Sequence, residues 1–121
     1  MSLKTHKDLN VWKESRELVT EIYALTSKFP KDEVYSLTAQ IKRAAISIPS
    51  NIAEGSARDS NKEYIHFLYI SLGSAAELDT QLIIAKDLGF INEKEFIKIS
   101  ENLDSVSKML SGLIKYRLSK K

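Results

Sequence analysis

The chain has 121 residues, with 18 basic and 16 acidic side chains, so its formal net charge at pH 7 is only +2. This length suits one domain, and a composition with 43% hydrophobic residues is typical of a folded protein rather than a disordered one. Cysteine is absent, which excludes disulfides, thiolate catalysis and sulfur-ligated zinc. Neither a membrane span nor a signal peptide is recognisable, so we expect a cytoplasmic protein that does not contact membranes.

Four segments of the chain repeat apolar residues at steps of three and four, which is the period of amphipathic helices. They predict helices over about residues 8–28, 36–57, 61–88 and 93–118. No segment alternates apolar and polar residues as a strand does. We therefore predict an all-α fold, an antiparallel up-down-up-down four-helix bundle, with residues 1–121 forming a single domain.

The starts of helices three and four carry capping boxes, in which two side chains bond the free N–H groups of the first turn. Ser60 with Glu63 predicts the first box, and Asn92 with Glu95 predicts the second. Gly89 is expected to end helix three, because glycine readily takes the left-handed conformation that closes helices. The turn between helices three and four should therefore be tight.

Helix two carries a proline inside its apolar stripe. Ser36 is its expected N-cap, and Pro49 removes one helical hydrogen bond and crowds the carbonyl of Ala45. We predict one helix kinked at Pro49, with a break at Ile48 as the alternative.

The first half of helix three is apolar or aromatic almost all round, whereas a monomeric bundle buries only one face. One interpretation is a subunit interface, and the other is scattered surface apolar residues, which monomers tolerate. The side chains of the candidate interface are Ile65, Phe67, Tyr69, Ile70 and Leu72.

A polar stripe follows one side of helix two at spacings of three and four residues. Glu77 of helix three is a hypothetical ion-pair partner for Arg43, and Gly73 and Ser74 should permit close approach of the two helices. The stripe is either a solvated face or a partly buried network that fixes assembly or binding geometry. With Glu77, its members are Gln40, Arg43, Ser47, Asn51, Glu54 and Arg58.

Motifs for catalysis and metal binding are weak. Glu63 and His66 have the Glu-x-x-His spacing of di-iron bundles, but the sequence has no second unit of this kind. It also has no phosphate-binding loop and no nucleophile elbow. We therefore expect no metal, no cofactor, no small-molecule substrate and no catalytic residue, and a protein that is not an enzyme.

The C-terminal segment is basic, with five cations and no acidic residue between positions 105 and 121. These cations are candidate contacts for a polyanion such as RNA or DNA. Alternatively, they interact with the negative end of the helix dipole and aid solubility. The members of this basic tail are Lys108, Lys115, Arg117, Lys120 and Lys121.

Residues 36–55, SLTAQIKRAAISIPSNIAEG, together with Arg58, residues 67–68 and the pattern at 73–78, resemble the bacterial four-helix-bundle family of proteins encoded in 23S ribosomal RNA intervening sequences. The resemblance covers nearly the whole chain. Ser36 and Ser71 depart from the glycine and alanine expected of the family, which affects local turn geometry rather than membership.

The resemblance implies a ring-like homopentamer without catalytic residues. Its signature residues here are Arg43, Ser47, Asn51, Glu54, Gly55, Arg58 and Glu77. A related branch is similar to the accessory protein of diversity-generating retroelements, a pentamer that binds nucleic acid and a reverse transcriptase. We therefore expect a non-enzymatic oligomer that binds RNA, DNA or a ribonucleoprotein, and the competing hypothesis is a structural or protein-interaction module that binds no nucleic acid.

Overall fold

The computed structural model describes residues 5–120 and consists of four long helices joined by short turns. They are α1 (Asn10–Thr26), α2 (Leu37–Ser56), α3 (Asn61–Asp87) and α4 (Glu93–Leu118). Two short 3₁₀ turns, His6–Asp8 and Lys31–Glu33, precede α1 and α2. The described residues contain no strand, so the predicted all-α fold is confirmed.

Each helix packs against two neighbours, since α1 contacts α2 and α4 while α3 contacts α2 and α4. The side-chain bonds give the directions. Lys28, beyond the end of α1, lies 3.1 Å from Glu95 at the start of α4, and Asn61 at the start of α3 bonds Arg117 near the end of α4. Adjacent helices are therefore antiparallel, as in an up-down bundle.

The core is a continuous column of aliphatic side chains contributed by all four helices. Burying each large aliphatic side chain is worth about 1.5–3 kcal/mol, so this column dominates the stability of the fold. Near the end of α4, Ile114 is buried in this core and Leu113 packs against it while partly buried. The largest fully buried aliphatic side chains are Leu18, Ile22, Ile41, Ile48, Ile52, Leu68, Leu78, Leu82, Val106 and Leu110.

Helix α2 is continuous through Pro49, as predicted, and the alternative break at Ile48 is wrong. The kink at Pro49 stays a prediction. Ser36 is the N-cap residue of α2, as predicted, but its hydroxyl donates to the Glu33 carboxylate at 2.8 Å and makes no capping bond. The N–H of Leu37 donates to the same carboxylate oxygen at 3.4 Å, so a stronger, charged acceptor replaces the serine.

The boundaries of α3 and α4 follow the predicted signals closely. Asn92 and Glu95 form the complete capping box, with bonds of 2.8 and 3.1 Å. Gly89 has φ +80°, and the N–H groups of Gly89 and Phe90 bond the carbonyls of Lys86 and Ala85, which is a Schellman motif.

The box at Ser60 is only half formed. Its hydroxyl accepts from the Glu63 N–H at 3.1 Å, but the Glu63 carboxylate accepts from that hydroxyl and not from the backbone N–H of Ser60. The same carboxylate lies 3.9 Å from Arg58, a cation that competes for it.

Candidate functional site

The middle of the polar stripe joins α2 to α3. The hydroxyl oxygens of Ser47 and Ser74 lie 2.8 Å apart, and the Asn51 amide donates to the carbonyl and hydroxyl oxygens of Ser47 at 2.8 and 2.9 Å. Ser47 and Asn51 are half-buried. This part of the stripe is therefore a network within one chain, which supports the partly buried interpretation for these residues.

One of the two serines that depart from the expected family pattern also bridges these helices. Ser71 is fully buried, and its hydroxyl donates to the carbonyl of Ile48 at 2.9 Å. A buried hydroxyl without a partner is costly, so this bond lets serine replace alanine at the helix interface.

Of the glycines that the structure describes, Gly55 of α2 lies closest to a neighbouring helix. A Cβ atom added there would lie 2.8 Å from the Cβ of Phe67 and 3.1 Å from the carbonyl oxygen of Tyr64. Only glycine fits this distance without movement of α3. The corresponding expectation for Gly73 is wrong, because Gly73 is exposed and an added Cβ would meet no atom within 4 Å.

Arg58 ties the end of α2 to the start of α3. Its guanidinium lies 2.9 Å from the Glu54 carboxylate, 3.9 Å from that of Glu63 and 4.9 Å from the centre of the Phe67 ring. Arg58 and Glu54 are both exposed, so these contacts add little stability individually. Together they order the turn between the helices.

The outer end of the polar stripe is solvated within one chain. Gln40, Arg43 and Glu77 are exposed, and the ion pairs formed within residues 5–120 do not include one between Arg43 and Glu77. The hypothetical pair is therefore wrong for a single chain. Nothing removes water from either charge, and exposed pairs gain little over separate solvated ions.

The chain itself covers part of the surface that was predicted as an interface on α3. Tyr69 and Ile70 are 51% and 37% exposed, whereas Ile65, Phe67 and Leu72 are partly covered by the chain itself. Phe67, for example, packs on Gly55 and beneath Arg58. Because the bundle partly covers three of the five side chains, the exposed apolar face at the start of α3 is narrower than predicted.

The exposed apolar surface of α3 instead continues toward its C-terminal end. Ile83 and Ile84 are each 43% exposed and Leu88 is 57% exposed. These residues are missing from the prediction, although the run Leu82-Ile83-Ile84-Ala85 was a visible signal. A helix cannot bury four consecutive apolar residues against one core, so some of them must face outward.

Several cations of the basic tail are engaged by neighbouring side chains. Lys108 pairs with Asp104 at 3.1 Å, one turn earlier. The Arg117 Nε donates to the Asn61 side chain at 2.8 Å, and its guanidinium lies 4.6 Å from the ring of Tyr64. Half-burial raises the pKa of Tyr64, and the nearby Arg117 charge opposes that rise.

The rest of the tail is more open. Lys115 is exposed, and the Lys120 ammonium lies 4.7 Å from the ring of Tyr116. That lysine lowers the pKa of the Tyr116 hydroxyl by hydrogen bonding and by its charge. Lys121 lies outside the described residues.

A groove that the sequence did not predict lies between α1 and α2. Its first half is lined by Trp12, Arg16 and Pro49. Its second half is lined by Tyr23, Tyr35, Lys42 and Arg43. Ile46 and Ser50 line both halves. We call this surface the α1–α2 groove. Aromatic and basic residues line it, and no carboxylate does among the described residues.

The sequence carried one signal for this groove. Val34 and Tyr35 interrupt an otherwise polar connection, and they are 47% and 96% exposed. Large apolar side chains that are exposed in a turn often take part in binding. Which residues lie beside them depends on how α1 and α2 pack, so the sequence alone does not show the groove.

The di-iron-like spacing of Glu63 and His66 does not correspond to a metal cluster. Within residues 5–120, no group of three His, Asp or Glu side chains is arranged to hold a metal ion. His66 is exposed and its ring packs edge-on against Phe67.

Among the described helices, none combines the length and apolar character that crossing a membrane requires.

Comparison with known proteins agrees with this architecture. A family model, the 23S rRNA-intervening sequence protein, matches residues 7–112. A crystal structure from Bacteroides thetaiotaomicron VPI-5482, a protein of unknown function from the S23 ribosomal protein family, superposes with a TM-score of 0.81 at 25% identity over 87% of this chain and 95% of that chain. No curated protein matches the chain. The family match spans most of the sequence, and the chain therefore belongs to the 23S rRNA-intervening sequence protein family.

Proposed function

We propose that the chain is a non-enzymatic cytoplasmic protein that assembles into a homopentamer and serves as a scaffold for RNA, DNA or a ribonucleoprotein. The observation that carries the proposal is the exposed apolar side of α3. Tyr69, Ile70, Ile83 and Ile84 are between 37% and 51% exposed on α3, and Leu88, just beyond its end, is 57% exposed. The other side of this helix is already buried in the core.

An apolar helix face outside the core is expected to be covered in an assembly. In a cyclic oligomer with more than two subunits, each subunit presents this patch to a different patch on the next subunit, and the contacts close into a ring. The resemblance described above implies five subunits. The α3 face supplies one of the two surfaces that such a ring requires.

The nucleic-acid part of the proposal rests on the family and on charge. The family is named for ribosomal RNA intervening sequences, and the similar Bacteroides protein is assigned to a ribosomal protein family. One chain has a net charge of only +2, but a ring repeats each basic surface five times and so strengthens its field. Such a field acts on phosphates without reading base sequence.

A titration tests the nucleic-acid role. Fluorescently labelled single-stranded RNA and duplex DNA are titrated with the full chain at about 50 and 200 mM salt, because phosphate binding weakens steeply with salt. We expect binding at micromolar protein that is weaker at the higher salt. If neither nucleic acid binds at either salt, the scaffold role is lost and the structural or protein-interaction module is the correct description.

A further inference from the structure

We infer that the α1–α2 groove, rather than the basic tail, is the surface that binds nucleic acid, and that its ligand is a single strand. This inference rests on the proposed function and assigns it to a specific site. The groove lining combines unpaired cations with a 96% exposed aromatic ring and contains no carboxylate among residues 5–120, whereas Lys108 of the tail is paired with Asp104.

The cations of the groove are available to a ligand. Arg16, Lys42 and Arg43 take part in none of the ion pairs found within residues 5–120. The Lys42 ammonium lies 4.6 Å from the centre of the Tyr23 ring, and the Arg16 guanidinium lies 5.7 Å from that of Trp12. These rings hold the two cations over the groove without neutralising them, so the charges remain free for phosphates.

The aromatic side chains indicate which kind of polyanion fits. Tyr35 is 96% exposed, and its ring is available for stacking. Val34 and Ile46, both exposed, add apolar surface beside it. In a duplex the faces of the bases are covered by their neighbours, whereas a single strand can stack its bases on a protein ring while basic side chains follow its phosphates. The groove therefore matches a single strand.

Two members of the basic tail are less available for the same task. Lys108 is paired with Asp104, and Arg117 is bonded to Asn61. A phosphate that approached Lys108 would also meet the negative charge of Asp104. The groove lining contains no such carboxylate among residues 5–120.

Two pairs of variants test the inference, each with a control of the same chemistry in the tail. Tyr35→Ala is compared with Tyr116→Ala, which removes an exposed tyrosine beside a lysine. Lys42→Glu is compared with Lys115→Glu, which makes the same charge change. The probes are labelled oligouridine and oligothymidine of about 20 nucleotides and a duplex of the same length, which exceed the site size of typical single-strand binders.

We expect Tyr35→Ala to weaken single-strand binding by about fivefold or more, as loss of a stacking ring does, while Tyr116→Ala changes it by less than about twofold. Lys42→Glu should weaken binding and reduce its salt dependence more than Lys115→Glu. Oligouridine binding without oligothymidine binding would assign the groove to RNA, and equal binding would assign it to single strands of both kinds. Circular dichroism checks that each variant is folded.

Other results separate the inference from the proposed function. If the wild type binds but only the tail variants weaken binding, or if groove and tail variants behave alike, the groove is not the site although the scaffold role stands. Duplex binding as tight as single-strand binding would also overturn the inference. If the wild type binds none of the probes, the proposed function and the inference both fail.

Discussion

The hydroxyl oxygens of Ser47 and Ser74 lie 2.8 Å apart and connect the middle of α2 to the middle of α3. The same Ser47 hydroxyl accepts from the Asn51 amide at 2.9 Å, so one side chain supports two hydrogen bonds. These bonds fix how the two helices face each other, and with them the side of α2 that is left for other molecules.

Ser47→Ala removes both bonds and leaves the Ser74 hydroxyl without this partner in a buried position. We expect the free energy of unfolding to fall by about 1–2 kcal/mol, measured by urea denaturation. Ser50→Ala is the control, since Ser50 is exposed on the same helix and should change stability by less than about 0.5 kcal/mol. Equal effects of the two variants would contradict a role for the Ser47 bonds.

Gly55→Ala should destabilise the protein even though alanine is the better helix former. The new Cβ would lie 2.8 Å from that of Phe67, which forces α2 and α3 apart and costs about 1–3 kcal/mol. Gly112→Ala in α4 meets no atom within 4 Å and should instead stabilise by up to about 1 kcal/mol. Thermal melts of both variants measure the two shifts, and a shift of the same sign in both would refute the close packing at Gly55.

The helices could be predicted from the sequence because their signals are local. Asn92 and Glu95 both lie within one turn, and α4 begins and ends where the prediction places it. Ser36 occupies the predicted N-cap position, but its hydroxyl is bonded to the Glu33 carboxylate and makes no capping bond. Propensity for a cap does not show whether another side chain engages the capping hydroxyl.

The candidate site was less predictable because it depends on how helices pair. Spacing places Arg43 on one side of α2 and Glu77 on one side of α3, but it does not give the distance between their charged groups. Tyr35 lies in a connection without periodicity, so its position beside Lys42 and Arg43 emerges only when α1 and α2 are packed. The exposure of Ile83 and Ile84 could be predicted, since a helix cannot bury four consecutive apolar residues on one face.

The pH dependence of stability should report the capping box at α4. The backbone N–H of Asn92 and the ammonium of Lys28 both bond the Glu95 carboxylate, and they lower its pKa below the usual 4.5. A lowered folded pKa gives stability that is present above the unfolded pKa and is lost as the pH falls through the folded one. This contribution should therefore disappear under acidic conditions.

Glu95→Gln should accordingly have a lower Tm than the wild type near pH 7, and the difference should shrink as the pH falls through the lowered folded pKa of the Glu95 carboxyl. Thermal melts across this range measure it. Glu101→Gln, at an exposed position of α4, is the control and should show no such convergence. A Glu95→Gln deficit that is constant with pH would argue against the charged cap.

Tyr69→Lys tests the exposed side of α3. A lysine at this 51% exposed position is tolerated in a single bundle, but it places an unpaired charge in a subunit interface. We expect the oligomer to dissociate while the helical content is kept. Tyr116→Lys is a matched control, because Tyr116 is 53% exposed on α4, and it should leave the assembly intact. Light scattering measures the mass of each variant, and an unchanged mass for Tyr69→Lys would remove this residue from the interface.

The molar mass of the unmodified protein in solution decides whether the bundles assemble into a pentamer. Size-exclusion chromatography with light scattering, carried out over a series of dilutions, gives this mass independently of shape. A homopentamer should have five times the 13.7 kDa of one chain, and this mass should be maintained on dilution. A mass of 13.7 kDa at every concentration would contradict the pentamer, because the exposed apolar side of α3 would then face water in solution.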